Sequence, residues 1–142
     1  MTSLIVDASV VAKRLVLEPD SDKAKVLFAN WQRGTLEILA PSILPAEVAN
    51  MLWKRVRRGL LSAASVESLF HEFIAFHVPL WPIEDLAEVA LTLALRNGHS
   101  AYDGLYLALA IKTGWDLVTA DQRLYNMLSP SFRNIRLIRD YT

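Results

Sequence analysis

One stretch of this chain combines an apolar helical pattern with a single carboxylate, and that combination restricts the folds open to it. Residues 105–111 are all apolar or tyrosine, and a helix that is apolar on every side belongs in a protein interior. Asp103 lies in the first turn of this predicted helix, which Gly114 ends. An ionised carboxylate removed from water costs several kcal/mol unless something compensates it. The sequence therefore predicts a buried helix whose one acidic group needs a partner.

The overall charge gives no indication of a polyanionic partner. Fifteen Lys and Arg residues balance fifteen Asp and Glu residues, so a nucleic acid would have to meet a local basic patch. The absence of cysteine excludes disulfides, thiolate nucleophiles and zinc sites built on cysteine. There is no signal-peptide pattern, and no apolar run reaches the ~18 residues of a membrane span. We expect a cytoplasmic protein with no membrane partner, folded as a single domain over residues 1–142.

Short apolar runs alternate with helical patterns along the chain. The predicted strands are 4–6, 36–40, 117–119 and 135–138, with a weaker edge candidate at 78–81. Between them lie predicted helices at 8–15, 21–31, 45–58, 62–76, 83–96 and 122–128, besides the helix of Asp103. Strands separated by helices form parallel sheets covered on both faces. The predicted fold class is α/β, a three-layer α/β/α sandwich with a central, mostly parallel sheet.

Four carboxylates are expected at one edge of this sheet. Asp7 and Asp121 directly follow predicted strands, while Glu47 and Asp103 lie in the first turns of helices. In a parallel sheet the strand ends and the starts of the following helices face the same edge. Close carboxylates repel one another, and a divalent cation removes that conflict. Oxygen ligands without His or Cys favour Mg²⁺ or Mn²⁺, which suits metal-assisted attack on a phosphate.

Each of these acids also suits a purely structural role. Acidic residues stabilise the first turn of a helix through its dipole, and Ser100 with Asp103 fits a capping box. Glu84 and Asp85 show the same usage with no site nearby. The position of Asp103 on a helix without any other polar face favours the metal site over helix capping.

Two hydroxyl side chains accompany the acids that follow the strands. Ser9 lies two residues after Asp7, and Thr119 lies two residues before Asp121. At these positions a hydroxyl can orient a carboxylate or a water on the metal. Helix capping explains the same hydroxyls nearly as well.

A basic stripe follows Glu47 along the predicted helix 45–58. At 100° per residue, Lys54 and Arg58 each lie about 20° from Glu47 around the axis, and Arg55 and Arg57 flank them. Cations beside a metal ligand suit binding of a nucleic-acid backbone, and an ordinary solvated helix end is the alternative. The core face of this helix is predicted to hold Val48, Ala49, Leu52, Trp53 and Val56.

Four short motifs resemble the acidic motifs of PIN-domain ribonucleases. They are Leu4–Ser9, Leu44–Val48, Ser100–Asp103 and Leu117–Asp121, and together they span essentially the whole chain. Each motif is weak alone, whereas four in this order are specific. In length, order and spacing the chain is most similar to the VapC toxins of bacterial toxin–antitoxin pairs.

The resemblance implies a PIN-like fold and an Mg²⁺- or Mn²⁺-dependent endoribonuclease that cleaves structured RNA, of the tRNA or rRNA class, by a metal-activated water. Carried over by motif, the catalytic and metal-binding quartet is Asp7, Glu47, Asp103 and Asp121. Lys54, Arg55, Arg57 and Arg58 are then expected to hold the RNA backbone, with Ser9 and Thr119 beside the quartet. The resemblance further implies a homodimer and a VapB-type antitoxin. Gly104 stands where the family more often has alanine, and we expect it to loosen the helix slightly.

Two other functions remain open from the sequence. One is a receiver-like, Mg²⁺-binding signalling domain. It would need paired acids after the first strand and a lysine after a late strand, but Asp7 precedes Ala8 and Ser9, and no lysine follows Thr119. The other is a PIN-like domain that acts mainly as a binding partner and whose catalysis is dispensable.

Overall fold

A five-stranded sheet organises the computed structural model, which describes residues 1–142. The strands are β1 (Thr2–Val6), β2 (Leu36–Pro41), β3 (Leu80–Trp81), β4 (Asp116–Thr119) and β5 (Ile135–Leu137). Their order is β3-β2-β1-β4-β5, and every pairing is parallel. The predicted α/β class is confirmed, and the sheet expected to be mostly parallel is parallel throughout.

Seven helices flank the sheet: α1 (Ala8–Leu15), α2 (Ser21–Gln32), α3 (Leu44–Arg57), α4 (Ala63–Ala75), α5 (Ala87–Asn97), α6 (Ala101–Thr113) and α7 (Gln122–Leu128). Helix α1 packs against α2, α3, α4 and β4, whereas α6 packs against β1, β2, β4 and α5. None of these helices has both the length and the apolar composition needed to cross a bilayer.

The centre of the core is formed by β1 and α6. Leu4, Ile5 and Val6 are fully buried, as expected for a central strand covered on both faces. In α6 every residue from Gly104 to Ala110 is buried. The predicted interior helix is therefore confirmed, and its apolar composition follows from contact with the sheet on one side and α5 on the other.

Gly104 is required by the close approach of α5 and α6, which corrects the expectation that it merely loosens the helix. A Cβ atom at this position would lie 2.5 Å from the carbonyl oxygen of Ala90 and 3.0 Å from its carbonyl carbon. Backbone atoms cannot move aside as a flexible side chain can. The missing side chain thus allows the two helices to pack backbone to backbone.

Two predicted element boundaries are wrong. The helix expected over 83–96 begins as a 3-10 turn at Ile83–Asp85, and α5 follows only from Ala87, because the chain bends at Leu86 to bury that side chain. The strand expected over 135–138 ends at Leu137, since Ile138 starts another 3-10 turn and is itself buried.

The predicted core face of α3 is also partly wrong. Val48 and Leu52 are buried, but Ala49 and Trp53 are exposed, with Trp53 55% accessible. The side chains of α3 and α4 leave an apolar groove between the two helices, and Ala49, Trp53 and Val56 line it.

We predict that Gly104→Ala destabilises the protein by about 2 kcal/mol, although alanine normally favours a helix, because the added methyl group overlaps the Ala90 carbonyl. Chemical denaturation followed by circular dichroism measures the change. Thr92→Ala on the exposed side of α5 is the matched control, expected to change stability by less than about 0.5 kcal/mol. A Gly104→Ala variant as stable as the wild type would contradict the close approach.

Candidate active site

The site lies where β1 and β4 run side by side at the centre of the sheet. From β1 the chain builds outward to β2 and β3, whereas β4 and β5 lie on the other side of β1. Such a reversal of strand order opens a crevice at the carboxyl ends of the strands. Val6 pairs with Val118, and the Asp7 amide donates to the Val118 carbonyl at 3.4 Å, so the residues following both strands meet there.

Asp7 is a buried carboxylate, 7% exposed, held by three donors. The hydroxyls of Ser9 and Thr119 donate to its two oxygens at 2.5 Å each, and the amide of Val10 donates at 3.2 Å. Burial nevertheless raises the pKa of Asp7 to about 6, because these hydrogen bonds offset the loss of solvation only in part. The negative charge of Asp103 adds to the same rise.

The two hydroxyls connect the end of β1 to the end of β4. Thr119 is completely buried, and its oxygen accepts a hydrogen bond from the Asp121 amide at 3.0 Å while donating to Asp7. The Ser9 oxygen accepts from the Ala120 amide at 2.8 Å. Both side chains therefore orient Asp7 and also fix the turn that presents Asp121.

Asp103 is electrostatically coupled to all three of the other predicted acids. Burial raises the pKa of Asp103, and the charge of Asp121 raises it further. The pKa of Glu47 is likewise raised by burial and then by Asp103, and Asp7 also responds to Asp103. None of the four carboxylates forms a salt bridge. Their mutual repulsion is thus not relieved by a direct ion pair within the chain.

Helix capping explains two of these acids, but not all four. Asp7 caps α1 through Val10, and Asp121 caps α7 by accepting from the Leu124 amide at 3.1 Å. In α6 the cap is Ser100, whose oxygen accepts from the Asp103 amide, and α3 begins at Ile43 without any side-chain cap. Neither Asp103 nor Glu47 is therefore needed as the capping residue of its helix.

A hard divalent cation fits the composition of this donor set but not its arrangement as it stands. The four acids offer oxygen atoms only, and the pKa values of Asp7, Glu47 and Asp103 are raised, chiefly by burial and further by a neighbouring carboxylate. However, no three His, Cys, Asp or Glu side chains are grouped closely enough to hold a metal ion. Side-chain rotation would have to complete any coordination shell.

Tyr106 is a member of the site that the sequence interpretation missed. It is 2% exposed and lies one helical turn beyond Asp103, on the same side of α6. Its hydroxyl is enclosed beside the Glu47 carboxylate without a hydrogen bond of regular geometry. Burial, followed by the charge of Glu47, raises the pKa of Tyr106 far above its ordinary range, so the phenol stays neutral. The spacing of three residues from Asp103 was the pattern that could have found it.

Two cavities adjoin the acids. One, of about 240 Å³, is lined by Asp103 and Asp121 together with His99 and Arg123. The other, of about 360 Å³, is lined by Glu47 and Lys54. The predicted position of Lys54 next to Glu47 is thus observed, and the Lys54 charge lowers the pKa of that carboxyl slightly against the stronger effect of burial.

The rest of the basic stripe is only partly available to a ligand. Arg57 and Arg58 are exposed, and the guanidinium of Arg57 lies 5.5 Å from the ring centroid of Trp53. Arg55 is different, because its guanidinium binds both oxygens of Glu18 at 3.0 and 2.9 Å and also the Met51 carbonyl. These bonds tie α3 to the loop after α1 and occupy the guanidinium that was expected to contact RNA.

Comparison with known proteins agrees with the resemblance seen in the motifs. The family model described as PIN domain matches residues 4–127. The chain is 39% identical over 125 residues to Ribonuclease VapC3 of Pyrobaculum aerophilum, covering 85% of this chain and 91% of that one. This family match excludes the receiver-like signalling domain.

Solved structures share the fold. The sarcin–ricin loop cleaving toxin VapC20 of Mycobacterium tuberculosis superposes with a TM-score of 0.63 at 17% identity, over 91% of this chain and 95% of that one. The structure of VapBC2 from Rickettsia felis bound to a DNA fragment from their promoter superposes with a TM-score of 0.60 at 17% identity, over 96% of this chain and 97% of that one. At such low identity these likenesses concern the fold alone.

We predict that Asp7→Asn stabilises the metal-free protein at pH 7.5 by about 1–3 kcal/mol. The pKa of Asp7 rises from 3.8 to about 6 on folding, so ionising this group costs the folded state about 3 kcal/mol at neutral pH. An uncharged amide removes that cost while losing part of the hydrogen bonding. Thermal and urea unfolding in EDTA measure the difference.

The pH dependence of stability provides the control. The folded state binds the proton of the Asp7 carboxyl more tightly than the unfolded state does. The resulting contribution to the free energy of unfolding is fully present below pH 3.8 and is lost as the pH rises through about 6. The wild type should lose this stability across that range and Asp7→Asn should not, whereas Asp85→Asn at an exposed position should follow the wild type. A lower stability of Asp7→Asn at pH 7.5 would contradict an uncompensated charge.

Proposed function

The chain belongs to the PIN-domain family as a VapC-type ribonuclease, and we propose that it is the toxin of a VapBC-type pair, cutting structured RNA in a reaction dependent on Mg²⁺ or Mn²⁺. The observation that carries the proposal is the coupling of Asp103 to Asp7, Glu47 and Asp121 with no salt bridge to any of them. A folding role does not explain Glu47 and Asp103, because neither caps its helix and the charge of Asp103 raises the pKa of Glu47.

We propose Asp7, Glu47, Asp103 and Asp121 as the catalytic quartet that holds the cation. When bound, Mg²⁺ or Mn²⁺ activates a water and stabilises the negative charge that develops on the phosphate. The hydroxyls of Thr119 and Ser9 each donate a hydrogen bond to one oxygen of Asp7, and these two bonds fix the orientation of the carboxylate. Tyr106 stays neutral and so adds no charge beside Glu47.

Lys54, Arg57 and Arg58 are proposed to contact the RNA backbone. All three are exposed, and Lys54 lines the cavity that also contains Glu47. Their charges let a strand with one phosphate at the acids continue along α3, since phosphate contacts fix the register of a nucleic acid on a protein. Arg55 is left out, because Glu18 already neutralises it.

The remaining partners follow from the family. A VapB-type antitoxin is supported by the likeness to VapBC2 of Rickettsia felis, and an RNA of the rRNA or tRNA class by the likeness to the sarcin–ricin loop cleaving VapC20. We propose a homodimer on the family resemblance. Because its RNA substrates are cytoplasmic, we propose that the protein acts in the cytoplasm.

Asp103→Asn is predicted to reduce RNA cleavage at least about 100-fold while leaving the fold intact. The substitution removes the one carboxylate that interacts electrostatically with each of the other three, and with it one proposed ligand of the cation. Sequencing of RNA ends after incubating total RNA with the purified protein in Mg²⁺ measures cleavage. Isothermal titration of Mn²⁺ measures cation binding separately, and we expect it to weaken at least about 10-fold.

Glu84→Gln is the matched control, since Glu84 is exposed in the 3-10 turn and its charge is not among those that shift the pKa of Asp7, Glu47 or Asp103. It should cleave RNA and bind Mn²⁺ like the wild type. Equal cleavage by Asp103→Asn and the wild type, or full wild-type cleavage in EDTA, would refute the metal-dependent scheme. Growth arrest on induction that persists in Asp103→Asn would favour the domain that acts mainly by binding a partner.

A further inference from the structure

We infer that the cavity between Asp103, Asp121 and Arg123 binds a nucleotide next to the scissile phosphate, with Arg123 holding its phosphate. The inference rests on the proposed ribonuclease function and names a subsite for that substrate. The pocket has a volume of about 240 Å³, which suits a single nucleoside rather than an RNA helix. Two of its walls belong to the acids of the site, so whatever occupies it is continuous with a phosphate bound there.

Arg123 is free to bind an anion, in contrast to Arg55 and Arg136. It is exposed in the first turn of α7 and forms no salt bridge. Arg55 is instead occupied by Glu18, and Arg136 by Asp116 at 2.7 Å. A guanidinium offers paired donors that match two phosphate oxygens, which gives Arg123 a directional contact with the backbone.

The cavity has a charged part and an apolar part, each formed by different side chains. Asp103 and Asp121 repel a phosphate placed directly against them, so the anionic part of a ligand must lie towards Arg123. Leu124 and Met127 supply an apolar surface beside it. A molecule with one phosphate and one flat, uncharged ring satisfies both parts, and a nucleotide is such a molecule.

His99 supplies an unused hydrogen-bonding atom in the same wall. It is 8% exposed, and its Nδ1 lies 2.8 Å from the Ser100 carbonyl oxygen. A carbonyl only accepts, so Nδ1 donates this hydrogen bond and Nε2 is the ring nitrogen that remains. That Nε2 is enclosed and has no partner. Every RNA base carries an N–H or exocyclic amino group on its edge, and a base in the cavity would pair with this nitrogen only once the His99 side chain has turned towards it.

Binding of a short fluorescent single-stranded RNA tests the phosphate contact. The measurements use the Asp7→Asn protein in Mg²⁺, so that the RNA stays intact, with and without Arg123→Gln. We expect Arg123→Gln to weaken binding about 10-fold and to reduce the slope of log affinity against log salt by about 0.7, the value for one phosphate contact on a single strand.

Arg133→Gln is the matched control for this measurement. Arg133 is also exposed and unpaired, but it precedes β5 and so lies at the opposite edge of the parallel sheet from the acids. It should leave the affinity and the salt slope unchanged. Equal effects of Arg123→Gln and Arg133→Gln would overturn the assignment.

Competition by small molecules tests whether the base occupies the cavity. Nucleoside monophosphates should displace the RNA at lower concentration than ribose 5-phosphate, and Met127→Ala should reduce that advantage about 5-fold, because part of the apolar wall is removed. Equal displacement by ribose 5-phosphate and by nucleotides would show a phosphate site only and would overturn the nucleotide site.

The proposed function is read out separately, as cleavage of total RNA by the wild type. If the wild type cleaves RNA but RNA binding does not depend on Arg123, the subsite is refuted and the ribonuclease function stands. Binding that does depend on Arg123, without any cleavage by the wild type, refutes the ribonuclease alone.

Discussion

The structure depends on the way that a buried carboxylate joins two central strands. Asp7 directly follows β1 and Thr119 is the last residue of β4, and the hydrogen bond between their side chains joins the two strands at which the strand order reverses. Ser9 completes the connection by linking Asp7 to the Ala120 amide. The same contacts that fix the strand ends also place an acid with a raised pKa at the floor of the crevice, so fold and site cannot be separated here.

Helix capping and ligand binding are not exclusive roles for these acids. A cap needs one carboxylate oxygen to accept from a backbone amide, as Oδ1 of Asp121 does from Leu124. The second carboxylate oxygen, Oδ2 of Asp121, takes no part in the cap and can still accept a bond from a ligand. Capping holds the carboxylate in one orientation, and a group that has been oriented loses less entropy when it binds a ligand. The structural interpretation of Asp7 and Asp121 is therefore part of how the site is built.

The sequence predicted what local patterns determine and missed what long-range packing determines. The short apolar runs were sufficient to predict the parallel sheet, and their ends at Asp7 and Asp121 were sufficient to predict that these two acids follow neighbouring strands. The ion pair of Arg55 was not foreseen because its partner, Glu18, lies 37 residues away in the sequence, and helical periodicity does not report such a pair. Trp53 was predicted in the core because it follows the other apolar residues of α3 at helical spacing. It is exposed because a groove separates α3 from α4 at this position, and the sequence does not show how far apart the two helices lie.

The close contact of α5 and α6 finally explains how an acid can sit on so apolar a helix. Without a side chain at Gly104, α5 packs directly against the α6 backbone, while the neighbouring Asp103 and Tyr106 face the acids that follow the strands. Any larger residue at position 104 would push the two helices apart and move Asp103 relative to Asp7. The apolar surface of α6 supplies the stability that the repelling carboxylates remove, because burial of its side chains favours folding whether or not the acids are charged. An otherwise unbroken hydrophobic helix is thus the physical condition for holding four acids at one edge of a sheet.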